Sequence, residues 1–350
     1  MGHADGQLRR RDTVHHGRQL SVGNTFLVTT AIPDPGLQLL SDAGTVTVLP
    51  SPPDYETLAA LCASGEYDVV LTQLRDVVDA PLLGSARLKG VSNFAVGYNN
   101  IDVDAATRHG ILVGNTPGVL TAATADIAML LILGTARRVV EADRLVRDGK
   151  FHGWEPELLL GRDVSGPVLG LAGFGRIARA TARRALGFGM EVLFAPRPPG
   201  HRPVSDEELG EFAGKVRQVS WDELVERSDF LSLHVPLNEQ TRHLVDRAVL
   251  ERMKPDAILI NTARGPVVDE AALVEALRDR VIAGAGLDVF EDEPRLAPGL
   301  AELPNTVLLP HVGSATVPVR SEMARLSALN AVAIAEGRTP PHAVNTLTGA

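Results

Sequence analysis

The chain has 350 residues, 34 of them basic and 43 acidic, and a formal net charge of −9. This length suggests roughly two domains, and the acidic balance argues against a general binder of nucleic acid or anionic membrane. The single cysteine, Cys62, excludes an internal disulfide and a thiolate metal cage and fits a reducing cytoplasm.

No apolar run approaches the roughly 18 residues of a membrane span, so no membrane partner is expected. Residues 1–23 mix arginine, aspartate and histidine without the apolar centre of a secretory signal. They read as a disordered tail, with the fold beginning at Asn24. Short strands are expected at Phe26–Thr29, Val46–Leu49, Asp68–Thr72 and Val91–Val96, alternating with helical stretches at 37–42 and 54–63. This rhythm predicts parallel β-α units. The longest helical pattern covers 122–148, and a loop with Trp154 and Pro156 follows. A second β-α series opens at Val168. Its further strands are expected at Glu191–Ala195, Phe230–Val235, Ala257–Asn261, Ala283–Val289 and Val307–Leu309. A final helix is expected from about Val317 to Glu336.

The strongest local motif follows the Val168 strand. Gly173, Phe174, Gly175, Arg176 and Ile177, with Ala178 behind them, read as G-x-G-x-x-A. The first glycine permits a tight turn, the second lets a pyrophosphate approach the backbone, and the small third residue lets helix and strand pack closely. The helix start then offers free N–H groups and a positive dipole end to phosphates. The strand expected at 191–195 ends without the acid that marks NAD. Arg197 stands there instead, suited to a 2′-phosphate, so NADP(H) is favoured over NAD(H).

Three more motifs each set polar residues just past a strand, where open α/β sheets bind ligands. They are NTARG at 261–265, GLDVFEDEP at 286–294 and LPHVGSAT at 309–316. With VGYNNID at 96–102, NTPGVLTAATAD at 115–126 and GFGRI at 173–177, they make residues 25–346 resemble the D-isomer-specific 2-hydroxyacid dehydrogenases. The glyoxylate/hydroxypyruvate reductases are the branch most resembled.

The resemblance implies an α/β protein with two Rossmann-like domains built on parallel sheets. A nucleotide domain at 121–316 would be inserted into a flavodoxin-like catalytic domain formed by 24–120 and 317–346. It implies reduction of a small 2-oxoacid, glyoxylate or hydroxypyruvate, to the D-2-hydroxyacid. Arg264, Glu293 and His311 would form the catalytic trio. Arg264 would clamp the substrate, and the Glu293–His311 pair would donate the proton, since imidazole titrates near neutral pH. Val96 and Gly97 would bind the substrate carboxylate through backbone N–H groups, beside Arg264 and His311. Thr124, His234, Pro236, Thr262, Ala263, Asp288 and Gly313 would join the glycine turn and Arg197 around the cofactor, with Asp288 near its carboxamide. No metal is expected. A homodimer is, with Trp154 reaching toward the partner's pocket. The alternatives are a D-3-phosphoglycerate dehydrogenase-like enzyme, without the regulatory domain many of these carry after the core, or a nucleotide-sensing co-repressor-like protein.

Overall fold

The computed structural model describes residues 23–200 and 202–347, so the tail expected at the N-terminus lies, but for residue 23, outside the described residues. The chain divides into two compact units, residues 1–120 with 316–350, and residues 121–315.

The first unit runs β1 (Asn24–Val28), α1 (Gly36–Ala43), β2 (Gly44–Val48), α2 (Tyr55–Ala63), β3 (Val69–Thr72), α3 (Ala80–Ser85), β4 (Gly90–Asn93), α4 (Val103–Arg108) and β5 (Leu112–Gly114). All pairings are parallel, in the order β2-β1-β3-β4-β5. Its central strands are apolar on both faces, as a parallel sheet covered by helices requires. Asp54, Asp79 and Asp102 start three of the helices by accepting from the N–H groups of Thr57, Leu82 and Ala105. The strand expected to reach Val96 stops at Asn93, whose side chain bonds back to Gly97 and bends the chain out of the sheet.

The second unit runs α5 (Thr121–Ala136), α6 (Val139–Arg147), β6 (Val168–Ala172), α7 (Arg176–Gly187), β7 (Glu191–Ala195), α8 (Asp206–Leu209), β8 (Val216–Gln218), α9 (Trp221–Arg227), β9 (Phe230–Leu233), α10 (Arg247–Arg252), β10 (Ile258–Asn261), α11 (Glu270–Arg278), β11 (Gly284–Leu287) and β12 (Thr306–Leu308). Its seven parallel strands stand in the order β12-β11-β10-β9-β6-β7-β8. The chain crosses over at β6, giving a doubly wound sheet with a switch point beside the glycine-rich turn.

The single helix expected over 122–148 is two helices. Arg138 takes a left-handed conformation at φ 52°. The Ala136 carbonyl accepts from the Arg162 N–H at 2.9 Å, so the 161–162 backbone takes over a carbonyl that would otherwise continue the helix. Finally α12 (Val317–Ala335) returns to the first unit, capped by Thr316. Its Ala324, Ala328, Ala331 and Ile334 pack with Phe26, Val28 and Leu71 in one buried cluster.

Candidate active site

Strand register sets the candidate residues of the second unit in a row. Ala195 pairs with Ala172, Ala172 with Leu233, Leu233 with Asn261, Asn261 with Leu287, and Leu287 with Leu308. The residues that follow these therefore emerge together at the carboxyl edge of the sheet. They lead into Pro196–Arg197, Gly173–Ile177, His234–Pro236, Thr262–Arg264, Asp288 and Leu309–His311.

The glycine turn has the geometry its sequence implies. Gly173 sits at φ 96°, and a Cβ there would lie 2.6 Å from the His234 carbonyl oxygen. Any side chain is excluded twice, by conformation and by contact. Nothing lies within 4 Å of a Cβ built on Gly175, and Gly175 caps α7 without a side-chain bond. Gly175 and Arg176 are exposed and Ile177 half-buried, so the helix start is open to an anion. The Phe174 side chain points the other way. It stacks on Phe194 at 4.0 Å between centroids, leaving its backbone as the part that faces the turn. Arg197 is exposed beyond β7 and has no ion pair among the described residues.

On the other side of the switch point, Ser232 Oγ lies 2.9 Å from His234 Nε2. Burial pushes the His234 imidazole down to about 4, so the ring is neutral at ordinary pH. The Pro236 carbonyl accepts from Thr241 Oγ1 at 2.6 Å. The Thr262 hydroxyl is buried without a hydrogen-bond partner among the described residues, a polar atom that a bound ligand would satisfy. The Ala263 N–H is tied to Asn261 Oδ1 at 3.0 Å.

His311 Nδ1 lies 2.9 Å from Glu293 Oε2. The other carboxylate oxygen, Oε1, accepts from the Phe290 N–H at 3.0 Å. Burial pushes the Glu293 carboxyl up, but the His311 bond and charge, the Phe290 amide and the Arg264 charge outweigh it and hold the group below its ordinary range. Arg264 Nη1 donates to the Ala263 carbonyl at 2.7 Å. Burial lowers the guanidinium from its very high ordinary value, against the pull of Glu293.

Asp288 has a part that the sequence reading did not foresee. It is 1% exposed, and its Oδ1 and Oδ2 accept from the Val312 and Gly313 N–H groups, each at 2.7 Å. The expected cofactor contact is thus first a brace for the turn carrying His311, which itself sits at φ 55°. That left-handed conformation is uncommon for a residue with a side chain. Burial pushes the Asp288 carboxyl up, and the two amides and His311 pull it back. Thr124 closes the same turn from α5, donating to the Gly313 carbonyl at 3.1 Å. Val96 and Gly97 belong to the first unit, in the half-buried loop after β4. Two asparagines that hold this loop, Asn93 and Asn115, were not singled out from the sequence. Their positions just at or beyond strand ends are the signal that could have marked them.

The chain is similar to known proteins over most of its length. The model of the D-isomer specific 2-hydroxyacid dehydrogenase NAD binding domain matches residues 129–313. A glyoxylate reductase of Thermococcus litoralis is 46% identical over 323 residues, covering 91% of this chain and 96% of that protein. A glyoxylate reductase of Korarchaeum cryptofilum is 50% identical over 284 residues, covering 80% and 83%. Among solved structures, the NADPH-dependent glyoxylate/hydroxypyruvate reductase of Sinorhizobium meliloti in complex with NADP and malonate is similar at a TM-score of 0.79. It is 34% identical, with 92% of this chain and 96% of that one covered. With its two parallel sheets, its glycine turn and these relatives, the chain belongs to the D-isomer specific 2-hydroxyacid dehydrogenases.

Proposed function

We propose that this oxidoreductase reduces glyoxylate, and hydroxypyruvate as a second substrate, to the corresponding 2-hydroxyacid, using NADPH in preference to NADH. The observation that carries the reading is the Glu293–His311 pair at 2.9 Å, at the sheet edge that also bears Arg264 and the glycine turn. The relatives named glyoxylate reductase support the substrate.

The residues present fit a dinucleotide. Gly173 permits the tight turn and Gly175 leaves open room for a pyrophosphate, the start of α7 offers amides, and the Thr262 hydroxyl lacks a partner among the described residues. Thr124, Pro236, Ala263 and Gly313 would complete the surroundings, with His234 as a neutral wall. Arg197 would pair with the 2′-phosphate, which is the basis of the NADPH preference. When bound, the reduced nicotinamide supplies the hydride.

The protein's own part is positioning and proton transfer. The Arg264 fork pairs with the substrate carboxylate and the ketone oxygen. The Val96 and Gly97 amides take the carboxylate. Because His311 Nδ1 is engaged by Glu293, the proton leaves from Nε2 to the oxygen on which charge develops. Glu293, ionised throughout, stabilises the imidazolium before transfer and fixes the ring plane. In the oxidative direction, Nε2 takes the proton back.

A second copy of the chain is the proposed partner. Helix α6 buries none of its residues, and Val139, Val140, Val146, Phe151 and Leu160 are exposed, with Trp154 at 82%. An apolar surface of that kind marks an interaction site. Light scattering on the purified protein should give twice the chain mass, and Val140→Asp with Val146→Asp should give monomer.

The deciding assay is spectrophotometric, offering glyoxylate, hydroxypyruvate, pyruvate and phosphohydroxypyruvate with NADPH and NADH separately. Highest kcat/KM for glyoxylate with NADPH is expected. Preference for phosphohydroxypyruvate would favour the phosphoglycerate reading, and binding of NADPH without turnover would favour the sensor.

A further inference from the structure

The loop after β4 turns three successive carbonyls into the first unit. The Ala95 oxygen accepts from the Thr116 N–H at 2.9 Å. The Val96 oxygen accepts from Asn115 Nδ2 at 2.7 Å, and the Gly97 oxygen from Asn93 Nδ2 at 2.9 Å. These peptides are trans. In a trans peptide the N–H points opposite to the C=O it is joined to. Tying the three oxygens inward therefore presents the N–H groups of Val96, Gly97 and Tyr98 on the opposite side. None of these three amides has an acceptor among the described residues.

The two asparagines are themselves locked. Asn93 is fully buried. Its Oδ1 accepts from Thr72 Oγ1 at 3.0 Å, and its Nδ2 also meets Asn100 Oδ1 at 3.1 Å. Asn100 in turn donates to the carbonyls of Gln73 and Asp76, at 3.1 and 3.0 Å. The Asn115 N–H donates to the His342 carbonyl, and its own carbonyl accepts from Asn330 Nδ2 on α12 at 2.8 Å. A carboxamide suits such a post. It donates to a carbonyl without adding charge, whereas a carboxylate of the same shape would repel that oxygen.

We propose that Asn93 and Asn115 are positioning residues that aim the Val96, Gly97 and Tyr98 amides at the carboxylate of the 2-oxoacid, with Tyr98 as a third donor. The proposal rests on the assignment of this loop to the substrate carboxylate. Its mechanism is preorganisation: the peptide planes are set before substrate arrives, so binding need not order them.

The test is Asn115→Ala and Asn93→Ala in the full chain. Four quantities are read: KM and kcat for glyoxylate, the inhibition constant of oxalate, and NADPH affinity from its fluorescence. The expected result is a rise of about 10- to 100-fold in both KM and the oxalate constant. The kcat should change less than about threefold and NADPH affinity not at all. A scaffold role would instead lower thermal stability, NADPH affinity and kcat together, and that pattern overturns the proposal. So do KM and oxalate constants within twofold of the parent. If an alanine variant does not fold, Asn115→Gln, which keeps the donor but displaces it, is read by the same criteria. A parent enzyme that neither reduces glyoxylate nor binds oxalate would instead remove the loop's substrate assignment, and the proposal with it.

Discussion

Gly265 is the tightest point of the candidate site, and replacing it with alanine is a stringent trial of the geometry. A Cβ there would lie 1.8 Å from the Phe290 carbonyl oxygen and 2.4 Å from the Glu291 nitrogen. Both obstacles are backbone and cannot rotate away. Reaching even 3.0 Å demands a separation of roughly 1.2 Å between the loop carrying Arg264 and the loop carrying Glu293. Those loops are otherwise locked together. Glu270 and Glu291 exchange backbone N–H to carboxylate bonds at 3.2 and 3.0 Å, and His243 Nε2 lies 2.6 Å from Glu291 Oε1. A misplacement of about 1 Å in a catalytic group costs on the order of 100-fold in rate. The expected outcome for Gly265→Ala is therefore a loss of about 100-fold or more in kcat/KM for glyoxylate. NADPH fluorescence should change much less, because the glycine turn after β6 is untouched. The measurements are steady-state kinetics and NADPH titration, with circular dichroism to confirm the fold. A folded variant with kcat within threefold of the parent would refute the claim that this backbone contact sets the Arg264–Glu293 geometry.

Three further outcomes follow from the same structure. Glu293→Gln keeps a hydrogen-bonding oxygen near His311 but removes the charge, so kcat should fall by about 10- to 1,000-fold with NADPH affinity unchanged; an unaltered kcat would leave His311 without its partner's assigned role. Arg197→Ala should raise the KM for NADPH by about 10-fold or more and leave the KM for NADH within twofold, and equal effects on both would remove Arg197 from the phosphate site. His234 is held near 4 against about 6.5 in an unfolded chain, so unfolded chains bind a proton there that the folded protein refuses. Stability from this group is complete above about pH 6.5 and declines as the pH falls toward 4. Glu293, held below its ordinary range, adds a loss at still lower pH, as the pH falls through its depressed value. Urea midpoints measured from pH 7 to 4 should therefore decrease, and His234→Asn should flatten the slope.

Much of the architecture could be read from short apolar runs. Glu191–Ala195 is expected and observed with the same ends, and the strand expected to open at Val168 does so, because strands buried on both faces leave an apolar signature. Strand β5 with three residues, and α3 and α4 with six each, are too short to show a period and escaped notice. The break at Arg138 was hidden for another reason. It is imposed by the backbone at Arg162, far along the chain, while the local pattern stays helical. The pairing of His311 with Glu293 was accessible through motif resemblance. The burial of Asp288 beneath the Val312 and Gly313 amides was not, since a carboxylate after a strand looks alike whether it faces a ligand or its own loop. The same holds for the bonds from Asn93 and Asn115 to the Gly97 and Val96 carbonyls, since a backbone acceptor leaves no mark in the sequence.

The return of α12 to the first sheet has a consequence for biosynthesis. The cluster joining Phe26, Val28 and Leu71 to Ala324, Ala328, Ala331 and Ile334 cannot close until α12 has left the ribosome. The sheet made first is thus sealed last, while the segment translated between can complete its own core earlier. Released chains truncated after residue 315 should accordingly show a protease-resistant middle and a digestible beginning, and resistance of both at that length would contradict this order.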